Sequence, residues 1–236
     1  MIPVPPRAAL AALAVAGLAF LSGCAHPSIA DAARLGPFYA PGNFAGDANL
    51  GIVRRVALMP VWANPGTAPE SVAALDEVVL AALQRQNRFE VVPFARDECR
   101  RRYLADALSA SGALPADLLD SLKRELAVDA VLFVDVTVYQ AYKPIALGFR
   151  GKLAAIDGSR LLWTFDNLFA SDDPAVANAA RRHFLNRDRS VPTDLTGVVL
   201  QSPSKFAAYA AAAMFGTLPP VLPPRAEAGP GRANGG

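Results

Sequence analysis

The sequence predicts an α/β fold: a single-domain sandwich in which helices pack on a mixed sheet with an antiparallel three-strand meander. Three observations predict it. Apolar residues recur at helical spacing between Thr67 and Leu126, the period changes to two from Ala130 to Phe169, and Asp157-Gly158 interrupts the second stretch as a preferred two-residue hairpin turn. Helical patterning returns after Asp173, so helices flank strands on both sides in sequence and need one sheet to bury against. The expected order is β-α-β-α-α-β-β-β-α-α.

The elements follow in turn. Val53–Val61 is an apolar strand ended by Asn64-Pro65-Gly66. Thr67 and Glu70 have the spacing of a capping box, and the helix they open aligns Val72, Leu75, Val78, Val79, Ala82 and Leu83 on one face. Arg88–Val92 is a short strand. A helix is expected from Asp97 to about Ala110, stopped near Gly112, and another from Pro115 that buries Leu118, Leu119, Leu122 and Leu126. Ala130–Tyr139, Ile145–Ile156 and Leu161–Phe169 form the meander. Asp173-Pro174 starts a helix to about Arg187. Residues 188–201 read as irregular, and Ser202-Pro203 opens a last helix to Met214 with Gly216 as its stop.

The ends differ in composition from this body. Residues 1–23 carry Arg7 and then an uncharged run from Ala8 to Phe20, the layout of a secretory signal and too short for an ordinary membrane span. Residues 24–51, rich in Ala, Pro, Gly and Asn, read as a flexible tether with Phe38, Tyr39 and Phe44 as docking points. The folded domain is expected over 52–216, and the Pro/Gly-rich stretch 217–236 has too little apolar mass to fold.

Leu21-Ser22-Gly23-Cys24 resembles a lipobox, in which the cysteine thiol receives diacylglycerol before the signal is removed. The resemblance implies a lipoprotein whose mature chain begins at Cys24 and carries palmitate-type acyl chains. Ala25 follows, with no Asp there to signal inner-membrane retention, which favours the outer membrane, the domain facing the periplasm. Two or more acyl chains suffice for stable anchoring, each buried methylene contributing about 0.8 kcal/mol.

Three strand motifs resemble one group, the envelope lipoproteins that share the fold of the curli secretion channel and the TolB amino-terminal domain. They are Arg55–Val61, Arg88–Pro93, and Leu126–Val134 followed by Tyr139; Leu161-Leu162-Trp163 after the Asp157-Gly158 turn is a fourth feature. The group includes Pel export and penicillin-binding-protein activator lipoproteins. The resemblance covers about 53–190 and implies a non-catalytic scaffold or accessory role in envelope assembly or export, with envelope proteins, or further copies of the chain, as partners. A regulator of a peptidoglycan synthase and a periplasmic hydrolase or small-molecule-binding protein are the alternatives. A pore is not expected: a membrane barrel needs strands of about 9–11 residues added to the soluble core, and the strands here belong to the domain's own sheet.

The chemistry-bearing residues have structural readings. A net charge of +2 argues against a nucleic-acid surface. Arg100-Arg101-Arg102 and Arg181-Arg182 lie beside acids or alanines on helices and read as solvated faces. With Cys24 lipidated, Cys99 has no partner for an intramolecular disulfide, and its place four residues before Tyr103 suits a small buried apolar group. Only His26 and His183 are present, too few for a zinc site, and His183 reads as a partly buried structural residue. Asp97-Glu98 and Asp172-Asp173 sit at helix starts, where capping accounts for them. Asp135 is the odd acid within an apolar strand; alternation places it with Phe133 and Thr137 on what reads as the wetter face. No nucleophile elbow, phosphate loop or dinucleotide fingerprint occurs. No catalytic, metal or cofactor-binding residue, no cofactor and no small-molecule substrate is therefore expected, and Cys24 is the one modified site.

Overall fold

The computed structural model describes residues 34–51, 53–187 and 193–221. Its elements are β1 (Phe44–Gly46), β2 (Arg55–Leu58), β3 (Trp62–Ala63), α1 (Pro69–Gln84), β4 (Glu90–Pro93), α2 (Arg96–Tyr103), α3 (Leu118–Leu126), β5 (Ala130–Gln140), β6 (Ala146–Ala155), β7 (Leu161–Ala170), α4 (Pro174–Arg187), a 3₁₀ helix (Thr193–Leu200) and α5 (Pro203–Phe215). Seven strands form one mixed sheet in the order β1-β7-β6-β5-β2-β4, with β3 also paired to β5. The expected α/β sandwich and its β5-β6-β7 meander are present, and β2 runs parallel to both β4 and β5.

The differences from expectation have local causes. The first strand stops at Leu58 and resumes as β3 because Pro60 has no N–H to continue a ladder. The capping box does not form: Ala68 is the cap residue, Pro69 starts the helix, and Thr67 is one position too early to serve it. Proline at the first helical position supplies the entry geometry instead. Helix α2 ends at Tyr103, well short of Ala110, with Leu104 in the left-handed conformation. Residues 109–110 are drawn away by Asp135, as described below.

The packed body extends past 52–216 at both ends. Within the stretch read as tether, β1 pairs antiparallel with β7, the Tyr39 N–H donates to the Ala175 carbonyl (3.1 Å), and Leu50 is buried. Beyond residue 216, Leu218 is buried, its carbonyl accepts from Arg88 Nη1 (2.6 Å), and the Leu50 N–H donates to the Pro220 carbonyl (2.9 Å). The two ends therefore meet beside the sheet edge.

One sheet face is covered by α1, α4 and α5 and holds the larger core, with Val56, Leu132, Val134, Phe149, Leu153, Trp163, Phe165 and Phe169 packed against Val79, Phe206 and Phe215. Trp163 stacks on Phe165 at 5.9 Å between ring centroids and donates from Nε1 to Thr217 Oγ1 (3.1 Å). Gly151 makes room for that ring: a Cβ there would lie 2.6 Å from it, closer than packed atoms tolerate. The opposite face is covered only in part. Helices α2 and α3 close Ala57, Met59, Phe94, Cys99, Leu118, Leu122, Val131 and Phe133 into a smaller core over β2, β4 and β5.

Candidate interaction face

The second face is open where β6 and β7 continue past α2 and α3. Register defines what it displays. Phe133, Lys152 and Thr164 lie abreast, then Asp135, Arg150 and Asp166, then Val138, Gly148 and Leu168. Side chains alternate across a strand, so Phe149, Leu153, Phe165 and Phe169, which flank these rows, point instead into the larger core. A bulge between Val136 and Val138 changes the register, so Val138 joins this face beyond Asp135.

The rows differ in chemistry. In the middle row, the Arg150 guanidinium pairs with Asp166 (Nε–Oδ2 2.8 Å and Nη2–Oδ2 2.7 Å) and reaches Ser111 Oγ (3.3 Å). Lys152 Nζ donates to the Ala110 carbonyl (2.9 Å). Asp135 accepts from Ser109 Oγ (2.7 Å) and from the Ala110 N–H (3.2 Å). The loop after α2 is thus pinned across the sheet by an acid and two bases. Asp135 is only 1% exposed, which corrects the expectation of a wetter setting. Burial pushes its carboxyl up, opposed by the Ser109 and Ala110 hydrogen bonds and the charges of Arg150 and Lys152. Its position is accounted for by holding the loop.

The outer row is apolar and uncovered. Val138 and Leu168 are 42% and 51% exposed on either side of Gly148, and Tyr142 stands beyond β5 at 86%. In the sequence Leu168 belongs to the closing strand Leu161–Phe169 and carries no further mark. The available signal was the β6 alternation Phe149-Arg150-Gly151-Lys152-Leu153, which puts base on the face that a helix would otherwise cover.

The other singled-out residues fall as follows. Cys24 and His26 lie outside the described residues. Cys99 is fully buried, and desolvation pushes its thiol up, against use as a nucleophile. Arg100 pairs with Asp97 and Asp106, Arg101 with Glu98, and Arg102 with Glu98 and Glu125. Asp173 Oδ1 accepts from the Ala175 N–H (2.7 Å) at the start of α4. His183 is half-buried, with its ring against Tyr209. A crevice of about 710 Å³ opens between the start of α1 and the end of α2; its Arg96 is bound to Asp76 and to the Val61 carbonyl (2.7 Å), and its Arg100 to Asp106. These polar groups satisfy one another and do not converge on a free point. Among the described residues no His, Cys, Asp and Glu cluster could hold a metal, and no helix is long and apolar enough to cross a membrane.

No family model and no curated protein matches the chain. Similar solved structures include the PelC dodecamer from Paraburkholderia phytofirmans, 12% identical over 72% of this chain and 96% of that one, with a TM-score of 0.39. Lipoprotein GNA1162 from Neisseria meningitidis is 15% identical over 49% and 79%, with a TM-score of 0.33. TolB from Acinetobacter baumannii is 14% identical over 63% of this chain and 30% of that one, with a TM-score of 0.29. The similar structures thus include members of the lipoprotein and TolB group that the strand motifs resemble. The functional reading rests on this chain's own residues.

Proposed function

We propose that the chain is a non-catalytic lipoprotein of the cell envelope, held in the outer membrane by acyl chains on Cys24, whose periplasmic domain binds another envelope protein or further copies of itself during assembly or export. The observation that carries this reading is the half-open sheet face. Val138 and Leu168 are exposed apolar residues on either side of Gly148, in the row next to the Arg150–Asp166 pair. An apolar centre with a polar rim is the usual composition of a protein contact. The lipobox Leu21–Cys24 and the order of the strand motifs support the location and the class.

A peptidoglycan-synthase regulator needs reach. Because Tyr39 and β1 are held on the domain, the segment between Cys24 and the folded body is shorter than composition alone implies, which ranks that alternative lower. The crevice at Arg96 and Arg100 presents no convergent free polar group in support of a hydrolase.

Light scattering on the mature chain, with co-purification from envelopes, tests the proposal. A multimer or a defined envelope partner is expected, lost on Val138→Lys with Leu168→Glu. A strictly monomeric chain that retains no envelope protein would overturn it.

A further inference from the structure

Among the described residues, the bases around the hollow between α4 and α5 have none of the acidic partners that surround the α2 arginines. This hollow, about 420 Å³, is lined by His183, Phe184, Arg187, Val199, Ser204, Lys205 and Ala208. Arg187 and Lys205 form no ion pair with a described acid, and Lys205 Nζ lies over the Phe184 ring at 4.9 Å from its centroid. Arg85, at the end of α1, adds to the same positive field: burial first, and then the Arg85 charge, hold Arg187 below its ordinary value. Among the described residues, His183 Nε2 is shut off from water with no hydrogen-bond partner, and so is the hydroxyl of Tyr209, whose ring packs against it. Burial first, and then Arg187 and Arg85, push the His183 imidazole down to about 4.

Such an arrangement is costly as it stands. Uncompensated like charges repel, and a buried ring nitrogen without a partner forfeits a hydrogen bond. An oxyanion would answer the repulsion. The guanidinium of Arg187 offers a fork suited to phosphate oxygens and Lys205 a point charge, and the His183 ring stands in the wall beside them. The hollow is larger than a bare ion needs, and Phe184, Val199 and Ala208 give it apolar walls. That combination fits the ester part of a ligand as well as its charge.

We propose that the α4–α5 hollow binds a phosphate ester, with Arg187 and Lys205 on the phosphate, His183 beside them in the wall, and Phe184 and Val199 against the organic part. A soluble monoester and a lipid headgroup both present this phosphate, and three probes separate the sources. The full lipoprotein in detergent is titrated with inorganic phosphate, glycerol 3-phosphate and micelle-free dihexanoyl phosphatidylglycerol, and the His183 ring resonances are followed by NMR. A saturable shift at millimolar concentration or below is expected, together with a rise in the pH at which His183 takes up its proton. Tighter binding of glycerol 3-phosphate marks a soluble ester, and tighter binding of the short-chain lipid marks a headgroup. Arg187→Gln with Lys205→Gln is expected to weaken binding about tenfold or more. Should that pair misfold, Lys205→Gln alone, at an exposed position, carries the test. Absence of a shift with all three probes, or equal binding by the variants, would overturn the proposal.

Discussion

Asp135 and His183 each place a titratable atom out of reach of water, on opposite sides of one sheet, and their surroundings are opposite as well. Asp135 has a hydroxyl and an N–H directed at it, with Arg150 and Lys152 close enough to favour its charge. His183 Nε2 has no partner among the described residues, and burial first, then the charges of Arg187 and Arg85, oppose its protonation. Burial alone therefore does not distinguish structure from function. A buried group whose partners are all present is explained by the fold, and one that lacks them points to something the fold does not contain.

The contrast can be broken by substitution. The largest effect is expected for Asp135→Ala, which leaves the Ser109 hydroxyl and the Ala110 N–H without an acceptor; a loss of about 2 kcal/mol in denaturant unfolding is expected. An unchanged midpoint would show that the 109–111 loop is not held by this acid. The next effect concerns pH. His183 has a folded-state pKa near 4, below its ordinary 6.5, so its contribution to stability is full above pH 6.5 and is lost as pH falls toward 4. Thermal unfolding of the protein should thus worsen across that window, and His183→Phe should lack that part of the pH dependence. Identical profiles would contradict the burial assigned to the ring. The smallest effect is expected for Asp135→Asn at neutral pH, because the amide keeps an acceptor and removes a buried charge. The Asp135 pKa is raised, so the contribution of its protonated form is full below 3.8 and is lost as pH rises through the folded value. The variant should therefore compare best with the parent near neutrality and fall behind it in acid.

Much of the fold was legible in the sequence because it is written in local period. The change from helical spacing to alternation located β5, β6 and β7, and Asp157-Gly158 located their second turn. What was not legible depends on partners far along the chain. Phe44–Gly46 has the composition of a tether, but the free edge of β7 supplies its hydrogen bonds. Helix α2 carries its pattern past Tyr103, yet Asp135 draws residues 109–110 onto the sheet. His183 was recognisable as a partly buried histidine. The bases around it were not, because Arg85 comes from the end of α1 and Lys205 from the start of α5. The interaction face was hidden for a similar reason: Val138 and Leu168 become neighbours only through pairing with Gly148 across a bulge.

The central claim is that this face is where the protein meets its partner in the envelope. A photo-reactive amino acid in place of Leu168, activated in intact cells, tests it directly, with the same group at Glu77 on the outer side of α1 as the control. A discrete adduct from position 168 and none from position 77 is expected, at twice the chain's own mass if the partner is a second copy. Equal labelling at the two positions, or none at 168, would contradict the account.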